Sequence, residues 1–339
     1  MDSITQIALG AAVGEAVLGK KVGNKAVLWG AIAGTIPDLD VIPGSFMETV
    51  ARLDFHRGIS HSILFCLILA PIMGALIAKI HRQENASRWD WTRLLFWSLF
   101  THPVLDCFTT WGTQLFWPLE YRVALNSIFV IDPLYSLPLI VSVIWLLFKG
   151  RGSQIRRKIN IIGLSLSSGY LVLTLVNKEI MNQSFENALT AQNIKYTRYS
   201  TQPTPVNNIL WAATAETVDG FYVGYHSFLD NHDGIKFLHF KKNHQVLGEL
   251  AENEKVKKLI ALTKGYFTVE PNMSGLTIND LRFGLINGWA PGPGSFVFSY
   301  NLEVSESNTN QELVISRKRG SINFSRAMLK QFWMRIKGI

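Results

Sequence analysis

The sequence predicts an all-helical, multi-span membrane domain followed by a small β-rich α+β domain outside the membrane. Three observations lead there. The 339 residues are 48% hydrophobic and only 17% charged, with the longest apolar runs in the first half. Basic residues in that half lie in short loops between the apolar runs. After residue 177 the composition turns polar, and short aromatic and β-branched runs replace the long apolar ones. The expected division is a helical membrane domain over 1–177, a linker or domain edge over 178–205, and a β-rich domain over 206–339.

Residues 4–18 and 26–43 are apolar stretches rich in Gly and Ala. Each is short against the about 20 residues of a full span, which predicts short, tilted or re-entrant helices packed against protein. Residues 62–80, 129–148 and 159–176 are spanning candidates. Residues 91–111 are mixed and span only if His102 and Asp106 face inward. Beyond 206, runs at 221–225, 236–240, 295–300 and 313–316 predict strands between polar turns, and 251–263 predicts an amphipathic helix.

The formal charge of +8 raises nucleic acid as a partner, but the apolar segments lack any nucleic-acid module, and none is expected. Cys66 and Cys107 lie in apolar segments, which argues against a disulfide scaffold. The start of the chain lacks a basic n-region, so the first apolar segment is expected to remain in the mature protein. Lys20, Lys21 and Lys25, then Lys79, Arg82, Arg88 and Arg93, then Lys149 to Lys158 mark three cytoplasmic loops. One alternating topology satisfies all three. It places the 44–61 and 112–128 loops and the C-terminal domain outside.

That orientation brings the acids and histidines of the first half to one leaflet. They are Asp38, Asp40, His56, His61, His102 and Asp106. Imidazoles with carboxylates form ligand sets for Zn²⁺ or a similar divalent ion. His102 and Asp106 are four apart, on one helix face. The plain alternative is a hydrogen-bonded histidine with a charge partner. Asp38 and Asp40 diverge on a regular helix but can converge at the helix end around Pro37, Asp38 toward metal and Asp40 toward a histidine or a second ion. Ser60 is a candidate N-cap for the next span. Arg57 suits an anionic group such as phosphate, or lipid headgroups. Glu15 reads as a helix-packing ion pair with a nearby lysine, and Asp132 as a helix start. His226, His232, His239 and His244 show no compact metal pattern and read as structural.

The ordered motifs Gly34-Thr-Ile-Pro-Asp-Leu-Asp40, Arg57-Gly-Ile-Ser-His61-Ser, His102-Pro-Val-Leu-Asp106, Phe108-Thr-Thr-Trp-Gly-Thr-Gln114 and Ile131-Asp-Pro-Leu134 carry a resemblance. The chain resembles the YdjM-like (DUF457) family of membrane-bound metal-dependent hydrolases, with the motifs covering about residues 1–150. That family is distantly similar to zinc-dependent phospholipase C and P1-type nucleases, which hydrolyse phosphate esters. The resemblance implies Asp38, His61, His102 and Asp106 as metal ligands and zinc as the ion. Members often carry a histidine near the start, where this chain has Gln6.

The expected function is therefore metal-dependent hydrolysis of a phosphate ester, on a lipid or lipid-linked substrate at the outer surface of a bacterial cytoplasmic membrane. Asp40, His56 and Arg57 are the catalytic candidates: the first two to orient or deprotonate water, the third to neutralise phosphate. The alternative is a noncatalytic membrane protein with a structural metal or polar cluster and a binding C-terminal domain. A transporter fits poorly, because the polar groups gather on one leaflet and no inverted repeat is evident.

Overall fold

The protein is described by a computed structural model covering residues 1–231, 234–290, 292, 294–307, 310–320 and 325–339. His232 lies outside the described residues. The chain divides into two compact units. The first comprises Met1–Phe46, Phe55–Val176 and Pro205–Asn207; the second comprises Met47–Asp54, Asn177–Thr204 and Asn208–Ile339.

The first unit is helical. Helix α1 (Ser3–Val22) begins where the Asp2 carboxylate accepts from Thr5 N at 3.0 Å. Gly23, at φ 59°, closes it and turns the chain into α2 (Asn24–Thr35). The two helices meet through Gly10 and Gly14 on one side and Gly30 and Gly34 on the other. A Cβ at Gly10 would lie 2.3 Å from Gly30 O, and one at Gly14 2.4 Å from Ala26 O, so only glycine permits this approach. A 3₁₀ turn at Pro37–Asp40 and a short α3 (Val41–Gly44) follow. Helix α4 (Thr49–Phe55) lies mostly in the second unit.

Helix α5 (Ile63–Ile80) is capped by Ser62, whose Oγ accepts from Phe65 N at 3.0 Å. Ser60, the cap expected from sequence, is turned elsewhere, because a second 3₁₀ turn (Ile59–His61) delays the helix start. Helix α6 (Arg88–Asp106) packs on α5 through Trp91, Leu94, Leu95 and Leu99 against Cys66, Ala70 and Ile77. An irregular stretch then leads to α7 (Pro133–Leu147). Asp132 caps α7 and Pro133 fills its first position, so the helix starts later than the expected 129.

Helix α8 (Gln154–Ala191) runs well past the expected span at 159–176. The polar stretch read as a linker is helical as far as Ala191, because Met181, Phe185, Ala188 and Leu189 recur at helical spacing. The first three pack against Trp211 and Ala213 of the second unit.

Among the described residues, three segments are long and apolar enough to cross a membrane: Asn24–Gly44, Ile63–Ile80 and Gln154–Ala191; Pro133–Leu147 is apolar but shorter. Leu64, Leu67, Ile68 and Ile72 on α5 are exposed, an apolar exterior suited to lipid. Glu15 forms its ion pair with Arg156 rather than a lysine. Arg156 reaches both Glu15 oxygens at 2.6 and 2.7 Å, Asn24 Oδ1 at 2.6 Å and Leu146 O at 3.1 Å. Arginine wins here because its planar fork can satisfy several buried acceptors at once.

Among the described residues, the second unit holds two antiparallel four-stranded sheets. The first runs β1 (Arg198–Pro203), β2 (Leu210–Glu216), β3 (Gly220–Ser227), β4 (Phe237–Lys241) in that order. The second runs β5 (Phe267–Asn272), β6 (Gly275–Ile286), β7 (Ser295–Ser307), β8 (Asn310–Arg319). Leu210, Phe221, Val223 and Tyr225 of the first sheet pack with Leu281 and Leu285 of the second. Helix α9 (Glu254–Leu262) buries Val256, Leu259 and Leu262, and its Lys255 and Lys258 pair with Glu48 and Asp54 at the two ends of the 47–54 segment. Helix α10 (Arg326–Ile336) ends the chain. The architecture is the expected one: apolar membrane helices, then a small β-rich extramembrane domain.

Candidate metal centre

Three elements of the first unit bring the polar residues together. The 3₁₀ turn after α2 advances about 120° per residue, so Asp38 and Asp40 point different ways. His61 ends the 3₁₀ turn before α5. His102 and Asp106 sit one turn apart on the last part of α6.

Asp38, His61, His102 and Asp106 converge, with one ligand atom from each within 4.8 Å of all the others. His61 Nε2 lies 3.2 Å from His102 Nε2. Asp38 Oδ1 is 3.4 Å from both nitrogens, and Asp106 Oδ2 is 3.5 Å from His61 Nε2 and 3.6 Å from His102 Nε2. A tetrahedron of ligands about 2.0–2.1 Å from a zinc-like ion has edges of about 3.3–3.4 Å. The five observed separations scatter around that edge.

The hydrogen bonds assign the tautomers. His102 Nδ1 is 2.6 Å from Gly34 O, an acceptor only, so this nitrogen donates. Ser60 Oγ donates to Asp40 Oδ2 at 3.0 Å, and therefore accepts from His61 Nδ1 at 2.9 Å. In the neutral rings both Nε2 atoms then present lone pairs to one point. Asp106 Oδ2 is buried there without a hydrogen-bond donor. Four electron-rich atoms facing each other with no donor between them is an arrangement that a cation relieves.

Charge agrees. The side chains of Asp38, Asp40 and Asp106 bring three negative charges against the Arg57 guanidinium and the Met1 ammonium, so with neutral histidines the group stays net negative and a cation offsets it. Without a cation a proton takes that place. Burial disfavours charge on His61, but Asp106, Asp38 and Asp40 outweigh it and push the imidazole up to about 9. The residues present thus fit a divalent ion.

Around the four lies a supporting layer. Asp40 accepts from His56 Nδ1 at 2.8 Å, from Arg57 N at 3.0 Å and from Ser60 Oγ, and lies 3.3 Å from His61 Nδ1. It holds the His56–His61 loop and sets the orientation of His61. The His56 ring is 31% exposed. Arg57 is buried with φ 60°; its Nε lies 3.2 Å from Asp106 Oδ2 and its Nη1 donates to Thr109 Oγ1 at 2.7 Å. Gln6 is buried beside the same carboxylate and donates to Asp106 Oδ1 at 3.1 Å, and the Met1 nitrogen also donates to Oδ1. Asp132 stands apart, capping α7 and accepting from Tyr170 OH at 2.9 Å.

The sequence candidates Asp38, Asp40, His56, Arg57, His61, His102 and Asp106 are therefore all brought into one connected group. Gly34 O, Thr109 and the bridging role of Ser60 are parts of this group that the sequence does not mark. The Ser60 hydroxyl is next to His61 in the chain, but its proximity to Asp40 depends on tertiary packing.

Comparison with known proteins gives a consistent picture. The sequence profile of the YdjM inner membrane protein family matches residues 1–181. The inner membrane protein YbcI of Escherichia coli K12 is 28% identical over 114 residues, 34% of this chain. The match spans 64% of that relative's length. No solved structure matches the fold.

Proposed function

For a chain that belongs to the YdjM family of inner membrane proteins, we propose the function of a membrane-embedded, metal-dependent hydrolase of phosphate esters, acting on a lipid or lipid-linked substrate. The observation that carries this reading is the convergence of His61 Nε2, His102 Nε2, Asp38 Oδ1 and Asp106 Oδ2 without a donor between them.

Asp38, His61, His102 and Asp106 would hold the ion, which would supply Lewis acidity to activate water. The rest falls to the chain itself. Asp40 fixes the Nδ1–H tautomer of His56, which leaves Nε2 as the basic nitrogen of a part-exposed ring, suited to take a proton from water. Arg57 offsets negative charge gathering at Asp106. Three of the four ligand residues are buried, and Asp38, 23% exposed at its side chain, marks the opening. Exposed Leu39, Val41 and Ile42 follow Asp38 in sequence and exposed Ile59 lies two residues before His61, apolar side chains that favour an amphiphilic substrate over a free nucleotide. The positive-inside count of the basic loops supports the reading that this opening and the β-rich domain face the outer side of a bacterial cytoplasmic membrane.

The burial of His61, His102 and Asp106 also suits a structural ion. Turnover separates the two readings. Metal-loaded protein in detergent is assayed on phospholipids, lipid-linked phosphates and nucleotides. Hydrolysis abolished by chelator and by Asp38→Ala supports the enzyme. Bound metal with no turnover on any of these substrates supports the structural ion.

A further inference from the structure

Helix α10 is amphipathic in an unusual way. Its inner side packs Phe332, 4.6 Å from the Trp289 ring, and buries Ile336. Its outer side carries Arg326, Leu329, Lys330, Trp333 and Lys337, one helical face by spacing and all exposed. A helix docked on a soluble domain turns polar residues outward; here Leu329 is 50% and Trp333 57% exposed. Lys337 Nζ stands 5.2 Å from the centre of the Trp333 ring.

The apolar surface continues beyond the helix. Ser227 Oγ donates to Ile336 O, and Arg335 Nη2 reaches Asp230 Oδ2 at 2.8 Å. These bonds hold the turn after β3, with exposed Phe228 and Leu229, against the last turn of α10. From Ser325 to Ile339 the chain has no Asp or Glu. Arg335 is committed to Asp230, so the outer cations Arg326, Lys330 and Lys337 give the face a net positive charge.

We propose that this face is a second membrane contact: α10 and the 228–229 turn rest in the headgroup layer of a bilayer containing anionic phospholipid. Leu329, Trp333 and Leu229 enter the boundary, and Arg326, Lys330 and Lys337 meet lipid phosphates. Tryptophan favours this layer, and lysines extend along apolar surface to keep their charge at phosphate depth. Basic amphipathic helices bind anionic bilayers by the same two terms. A protein covering the face would have to match three cations interleaved with apolar side chains, whereas an anionic headgroup layer matches them anywhere. The membrane helices of the same chain keep the bilayer close at hand.

The test uses the full chain in nanodiscs of phosphatidylcholine alone or with phosphatidylglycerol. A nitroxide is placed at Leu329→Cys; Cys66 and Cys107 are buried and label poorly. In phosphatidylglycerol discs the label should be more accessible to oxygen than to a water-soluble nickel chelate. Lys330→Glu with Lys337→Glu, both surface changes, should return it to aqueous accessibility. A label that stays aqueous in both lipids overturns the proposal, as does one shielded from both oxygen and nickel, which means that protein covers the face.

Discussion

His61 Nε2 and His102 Nε2 stand 3.2 Å apart while the Nδ1 atom of each ring is engaged with another partner. Two lone pairs at that distance repel unless a proton or a cation lies between them. A proton and a metal therefore compete for one place.

That competition sets a pH dependence. The proton is held on His61 up to about 9, a value raised by the neighbouring carboxylates against burial. The sign follows: the protonated, metal-free form is favoured below about 9, and raising the pH toward 9 removes the competitor. Zinc affinity measured by chelator competition should climb between pH 6 and 9 and level off above. A flat profile would mean that His61 does not give up a proton to the ion.

Asp40 acts through His61 and His56 rather than on the ion. Asp40→Asn should leave metal bound at saturation but weaken affinity roughly 10- to 100-fold, the usual cost of losing a carboxylate behind a ligating histidine. It should also move the pH profile of binding, because the His61 proton loses a partner. Chelator competition across pH reads both effects.

The glycine contact between α1 and α2 supports the centre from a distance, since Gly34 O anchors His102. Gly14→Val would drive a side chain into the Ala26 carbonyl, a backbone atom that cannot rotate away. Overpacking of this kind costs about 1–3 kcal/mol. The thermal midpoint in detergent should fall, and metal affinity with it. An unchanged midpoint would place the helices further apart.

Arg156 and Glu15 form a buried pair with nearly every polar atom engaged. Arg156→Met alone strands the Glu15 carboxylate and should destabilise by about 3–5 kcal/mol, whereas Glu15→Gln with Arg156→Met should recover much of that. Denaturation of both variants in the same detergent makes the comparison.

Much of this was legible in the sequence. The i,i+4 spacing of His102 and Asp106 puts them on one face wherever α6 runs, and the apolar runs locate the membrane helices. Asp38 and His61 were legible through the resemblance carried by their motifs. The links that turn these residues into a centre were not. Asp40 reaches across 16 residues to His56, and His102 across 68 residues to Gly34 O, contacts that only helix packing sets. The polar stretch 178–191 misled because its composition resembles a linker, while its helical period of Met181, Phe185, Ala188 and Leu189 was the better guide. Glu15 was read as an ion pair, but its partner on α8 lies 141 residues away.

The most direct test is metal analysis of protein purified in detergent without chelator, comparing wild type with His102→Ala. The account predicts divalent metal bound to the wild type, near one ion per chain, and strongly reduced in the variant while the helical circular dichroism is kept. Equal metal content in the two proteins, whether near zero or retained, would contradict it.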